Sequence, residues 1–139
     1  MIFSRRELLI VGAGASLTMA LPIMTHAATS DELIATFTGG AAVAEGGITL
    51  TAPEIAENGN TVPVSIDAPG ASEVLILATG NPNADVATFK FGPLAGSFVA
   101  STRIRLAKTQ DVVAIAKMAD GSFASAKSTV KVTIGGCGG

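Results

Sequence analysis

The sequence predicts an all-β fold: an antiparallel β-sandwich with one short helix ahead of the strands. Three observations predict it. Apolar residues recur at every second position in several runs between residues 61 and 134, which is the period of a half-buried strand. Turn-forming residues separate these runs at Asn58-Gly59-Asn60, Pro69-Gly70, Gly80-Asn81-Pro82-Asn83, Gly92-Pro93 and Asp120-Gly121. The 139 residues are 48% hydrophobic and only 14% charged, a composition that suits one domain with a buried core.

The N-terminus is set aside before the fold is read. Arg5 and Arg6 precede an apolar run over residues 8–20, then Pro22, then the small-x-small site Thr25-His26-Ala27. A membrane anchor is the competing reading. The run is short for a spanning helix, which needs roughly 20 apolar residues, and it ends in a proline and a processing site. Residues 1–27 are therefore expected to be a cleaved signal. The pair within Ser4-Arg5-Arg6-Glu7-Leu8-Leu9 looks like a twin-arginine motif, a route that exports folded cargo.

Next, SDELIATF over residues 30–37 predicts a short helix, with Ser30 as cap, Asp31 and Glu32 at the positive end of the dipole, and Leu33, Ile34 and Phe37 on one face. The four-glycine stretch TGGAAVAEGGITL is expected to be irregular. In TVPVSIDA, Val62, Val64 and Ile66 alternate with Thr61, Pro63 and Ser65. EVLILAT is a continuous apolar run, as in a buried strand. Phe89 and Phe91 flank Lys90, and Phe98, Ala100, Ile104 and Leu106 face in while Arg103 and Arg105 face out. DVVAIAKM is apolar on both faces except at Lys117. This suits a central strand, or one whose second face meets another protein. Asp120-Gly121 makes a tight hairpin into the last strand, where Ala124, Ala126, Val130, Val132 and Ile134 alternate with polar residues. Six or seven short strands at this spacing predict a sandwich of immunoglobulin-like type, over residues 28–134.

Cleavage changes the chemical inventory. Losing Arg5, Arg6 and Glu7 moves the formal charge from −2 to −3, and the only histidine, His26, leaves as well. The mature chain then has no His, Trp or Tyr and one cysteine, Cys137. Zinc sites use three or four Cys, His or carboxylate ligands, so no metal site is expected. A cysteine hydrolase needs a base beside its thiol, and no imidazole remains. No basic patch points to nucleic acid.

Cys137 sits in Gly135-Gly136-Cys137-Gly138-Gly139, at the terminus. A lone cysteine is commonly a small buried hydrophobe, but this position offers little to hold it in a core. An odd cysteine in an exported chain points to an inter-chain disulfide or a working thiol. Glycines remove side chains and free the backbone, so residues 135–139 read as a flexible arm able to enter a narrow channel. The reach from Ile134 to Cys137 is roughly 10 Å at about 3.3–3.6 Å per residue. An unperturbed thiol has a pKa of about 8.5, and no group nearby in sequence activates Cys137. This favours a carrier whose partners supply the chemistry. A thiol oxidoreductase lacks its second cysteine and a local base.

The terminal GGCGG, with PEIAENGNTVPVSI, GNPNADVATFKF and STRIRLAKTQDVVAIAKM upstream, resembles the SoxY family of the periplasmic thiosulfate-oxidising Sox system. The resemblance runs from about residue 53 to the end. It implies a non-enzymatic carrier without cofactor, holding sulfur intermediates covalently on Cys137. It implies loading of thiosulfate by a c-type cytochrome, SoxAX. Sulfate is then released by a metal-dependent hydrolase, SoxB, and the remaining sulfur is oxidised by a sulfane dehydrogenase, SoxCD, where present. It further implies a tight heterodimer with SoxZ, a possible occupant for the apolar region over residues 112–118. The alternative is a structural subunit stapled by an inter-chain disulfide.

Overall fold

The computed structural model describes residues 28–135. Arg5 and Arg6, with the signal segment, and Gly136, Cys137, Gly138 and Gly139 lie outside the described residues.

The described chain begins with helix α1, Ser30–Thr38. Thr29, not Ser30, caps it: the Thr29 hydroxyl accepts from the Glu32 N–H, while the Glu32 carboxylate accepts from the Thr29 N–H at 2.8 Å. This reciprocal pair satisfies two orphan donors. Gly39 ends the helix at φ 64°, a left-handed conformation that favours glycine.

Nine strands follow among the described residues: β1 Val43–Glu45, β2 Thr49–Thr51, β3 Ile55–Ala56, β4 Val62–Asp67, β5 Ala71–Ala78, β6 Asp85–Lys90, β7 Val99–Ile104, β8 Gln110–Met118 and β9 Phe123–Val132. They form two sheets. The larger has the order β1-β9-β8-β5-β6, with β3 also paired to β9; the smaller has the order β2-β4-β7. All pairings are antiparallel except β1 and β3, which run parallel to β9. The result is the immunoglobulin-like sandwich expected from the alternation. The glycine-rich stretch expected to be irregular instead contains β1 and β2. Each is three residues long, too short to show a period, and β1 owes its form to backbone pairing with β9 far along the chain.

The core lies between the sheets. Val62, Val64 and Ile66 from β4 meet Val74 and Ile76 from β5, Val112, Ala114 and Ala116 from β8, and Val130 from β9. Burying one such branched side chain contributes about 1.5–3 kcal/mol. β8 lies between β5 and β9, so it is the central strand of the larger sheet. Its second face is covered by the chain itself: Ile115 is buried, as are Leu75, Leu77 and Phe123, none of them part of the inter-sheet cluster. Helix α1 packs on this side, near β5. Phe37 meets Phe123 edge to face, with ring centroids 5.9 Å apart.

The Asp120-Gly121 hairpin joins β8 to β9, with Gly121 at φ 86°. The Asp120 carboxylate accepts from the hydroxyl and the N–H of Ser122. These bonds, the hydroxyl's first, hold its pKa below the ordinary 3.8. Among the described residues no buried side-chain polar atom lacks a partner.

Candidate functional site

The site is built where β9 runs out toward the terminal glycines. One flank of the departing chain is zipped to residues 54–59. Lys131 N–H donates to the Glu54 carbonyl at 2.9 Å, Thr133 N–H to Ala56 at 3.1 Å, and Gly59 N–H to the Ile134 carbonyl at 2.7 Å. The Thr133 hydroxyl adds a bond to the Glu57 carbonyl at 3.0 Å. On the other flank, Val132 N–H donates to the Thr109 hydroxyl at 2.9 Å. Ile134, expected to face inward, is 68% exposed because β9 has ended and only its backbone is held.

Gly135 then passes the Ala107 carbonyl. A Cβ on Gly135 would clash with that oxygen. Glycine is needed here for close approach, a steric reason separate from the backbone freedom read from the sequence. Leu106 fixes the neighbouring chain: its side chain is fully buried, and its N–H donates to the Gly59 carbonyl at 2.8 Å.

Residues 105–109 are braced from behind by two side-chain amides. Asn81 Nδ2 donates to the Arg105 carbonyl at 2.7 Å, and Asn81 Oδ1 accepts from Ala107 N–H at 2.9 Å. Gln110 Nε2 donates to Asn81 Oδ1 at 2.8 Å and to the Lys108 carbonyl at 2.9 Å, while its Oε1 accepts from Gly80 N–H at 2.8 Å. Gly80 is itself constrained, since a Cβ there would sit 2.8 Å from the Gln110 Cβ. Sequence reasoning read Gly80-Asn81-Pro82-Asn83 only as a turn and missed Thr109 and Gln110. The available signal was Gln110, an amide at the head of an apolar strand, a residue type that is buried only when bonded.

Of the residues singled out from the sequence, Gly135 is the one the structure describes. Among the described residues, no three His, Cys, Asp or Glu side chains come together to hold a metal ion. None of them forms a helix long and apolar enough to cross a membrane. A groove of about 570 Å³ crosses the smaller sheet, lined by Thr51, Pro53, Pro63, Ser65, Ser101 and Arg103 among others. None of its lining residues takes part in the bonds that hold Thr133 to Gly135.

Comparisons with known proteins meet this geometry. The family model for SoxY, described as a sulfur oxidation protein, matches residues 34–137 and so runs through Cys137. The structure of the sulfur carrier protein SoxY from Chlorobium limicola f thiosulfatophilum is similar at 37% identity. That match covers 75% of this chain and 96% of that one, with a TM-score of 0.66. A superoxide reductase (neelaredoxin) from Ignicoccus hospitalis is similar at 15% identity, covering 63% of this chain and 80% of that one, with a TM-score of 0.55. A single-residue variant of that reductase matches at 15% identity over 76% and 89%, with a TM-score of 0.56. At that identity the likeness shows the shared sandwich alone. Among curated proteins, none matches this chain. A match spanning most of the chain, joined to a solved relative that it covers almost end to end, leads to one conclusion: this chain belongs to the SoxY family of sulfur oxidation proteins.

Proposed function

We propose that the chain carries sulfur as a covalent adduct on Cys137 and presents it to partner enzymes during thiosulfate oxidation. The observation that carries this reading is the family match running through Cys137, the one cysteine in the sequence. The relative of known structure is named a sulfur carrier protein. The held end of β9 supplies a firm base from which a short glycine arm can extend.

The chemistry asked of Cys137 is simple. The thiol joins thiosulfate as Cys-S-S-SO₃⁻, releasing one proton and two electrons, which SoxAX takes up. Water then displaces the terminal sulfonate as sulfate on SoxB, leaving a persulfide on Cys137. SoxCD, where present, oxidises that outer sulfur. In each step the partner provides the catalytic groups, in keeping with a mature chain that has no imidazole. The proposal includes a SoxZ heterodimer, and a periplasmic location reached by the Arg5-Arg6 signal and cleavage after Ala27.

Intact-mass analysis of the mature chain, before and after a reductant, tests the reading. Reducible additions equal to sulfur, sulfonate or thiosulfonate are expected, and Cys137→Ser should lose both the additions and thiosulfate oxidation. Full activity in Cys137→Ser would refute it. A covalent dimer with no adduct on the monomer would favour the disulfide staple instead.

A further inference from the structure

The distance available to Cys137 depends on where the chain stops being held. β9 is assigned only as far as Val132, yet the backbone is bonded on through Ile134, whose carbonyl accepts from Gly59 at 2.7 Å. The next residue, Gly135, threads past the Ala107 carbonyl with no room for a side chain. Ala107 is not free to yield. Its N–H is tied to Asn81, Asn81 is tied to Gln110, and Gln110 grips both Gly80 and Lys108.

We infer that Gly135 is a positioning residue: a fixed exit past the Ala107 carbonyl, with the Asn81–Gln110 bracket setting the direction in which the arm leaves the domain. This rests on the carrier reading of Cys137 and deepens it. From Gly135 to Cys137 is two residues, a span of about 7 Å at about 3.3–3.6 Å each. With so short a tether, moving the exit by a few ångströms uses up much of the reach. On a long linker the same shift would be absorbed. A misplacement of about 1 Å at a reacting centre can cost about 10²-fold in rate, so the exit direction bears directly on delivery.

Gly135→Ala tests this in the full mature chain bound to its partner subunit. The added methyl must push either the arm or residues 105–109 aside. Amide exchange at Gly59 and Ala107 should speed up by about tenfold or more, while the Ile76 and Ile115 amides, in the centre of the larger sheet, stay as they were. Enzymatic loading of Cys137 should lose about tenfold or more in kcat with KM within about twofold, because the docking surface is intact and only the delivered geometry has changed. Adding Asn81→Ala to Gly135→Ala lets Ala107 retreat and should restore part of that kcat. Asn81→Ala alone, which adds no bulk to the arm, should also lower kcat at constant KM.

Unchanged exchange and loading in Gly135→Ala would overturn the proposal. So would an equal loss of kcat in Gly136→Ala, which would assign the effect to glycine content alone. If Cys137→Ser keeps thiosulfate oxidation, the carrier reading fails; the exchange measurement still decides, separately, whether Gly135 is a fixed exit.

Discussion

Gln110 commits its side-chain amide to three bonds, to Gly80, Asn81 and Lys108, while only 8% exposed. Truncating it removes all three bonds, including those to the half-buried Gly80 N–H and to the carbonyl of the exposed Lys108. A hydrogen bond contributes about 0.5–1.5 kcal/mol net, so losing these together costs about 1–3 kcal/mol. Gln110→Ala should therefore lower the stability of the isolated chain by about that amount, read as a lower urea midpoint at unchanged slope. At this scale, Cys137 stood out in the sequence because it is the only cysteine and its neighbours are glycines. Gln110 and Asn81 did not. Their bonds bridge 29 residues, and nothing in either local segment signals the other. Gly135 was legible as a glycine in a glycine-rich end, but its contact with Ala107 was not, since a carbonyl oxygen leaves no mark in a sequence.

Helix α1 is the element that makes the outer face of the larger sheet habitable. Its apolar stripe of Leu33, Ile34 and Phe37 was visible in the sequence, and the structure places Phe37 against Phe123. Phe37→Ala should remove an edge-to-face pair and part of the cover over this face. The expected loss is about 1–3 kcal/mol from burial and the aromatic contact together, measured as a lower thermal midpoint with the β-sheet spectrum retained. Among the strands, β4, β5, β8 and β9 were legible because each packs against the core along much of its length. β1, β2 and β3 were not, being two or three residues long. What makes them strands is hydrogen bonding to remote partners: β1 and β3 lie parallel to β9, and β2 lies against β4. Side-chain periodicity does not record that kind of order. The hydrophobic run of β8 left two readings open; its place between β5 and β9 makes it a central strand, and Ile115 on its second face is buried within the chain.

At the scale of the whole molecule, we propose that export and assembly are linked. A signal that resembles the twin-arginine type precedes a domain whose sequence suggests no resident cofactor. This motivates the hypothesis that the chain folds in the cytoplasm with a partner lacking its own signal and takes that partner across. Replacing Arg5-Arg6 with Lys-Lys should leave both subunits in the cytoplasm, as shown by fractionation; a partner still found in the periplasm would defeat the hypothesis. The fold class was legible at this scale because a two-sheet sandwich imposes alternation and regular turns on the sequence. The seat of the terminal arm was not, because it is assembled from residues 54–59, 80–81 and 105–110, which meet only when both sheets are in place.

The pairing of β9 has a mechanical consequence. β9 is bonded along one edge to β8 and along the other to β1 and β3, and its last residues are tied further by Glu54, Ala56 and Gly59. If Cys137 is delivered to partners as we propose, the pull on the end of β9 has a component along the strand axis. It loads these bonds together in shear, instead of peeling them one at a time as at a free strand end. Pairing along both edges thus protects β9 against unravelling from its C-terminal end.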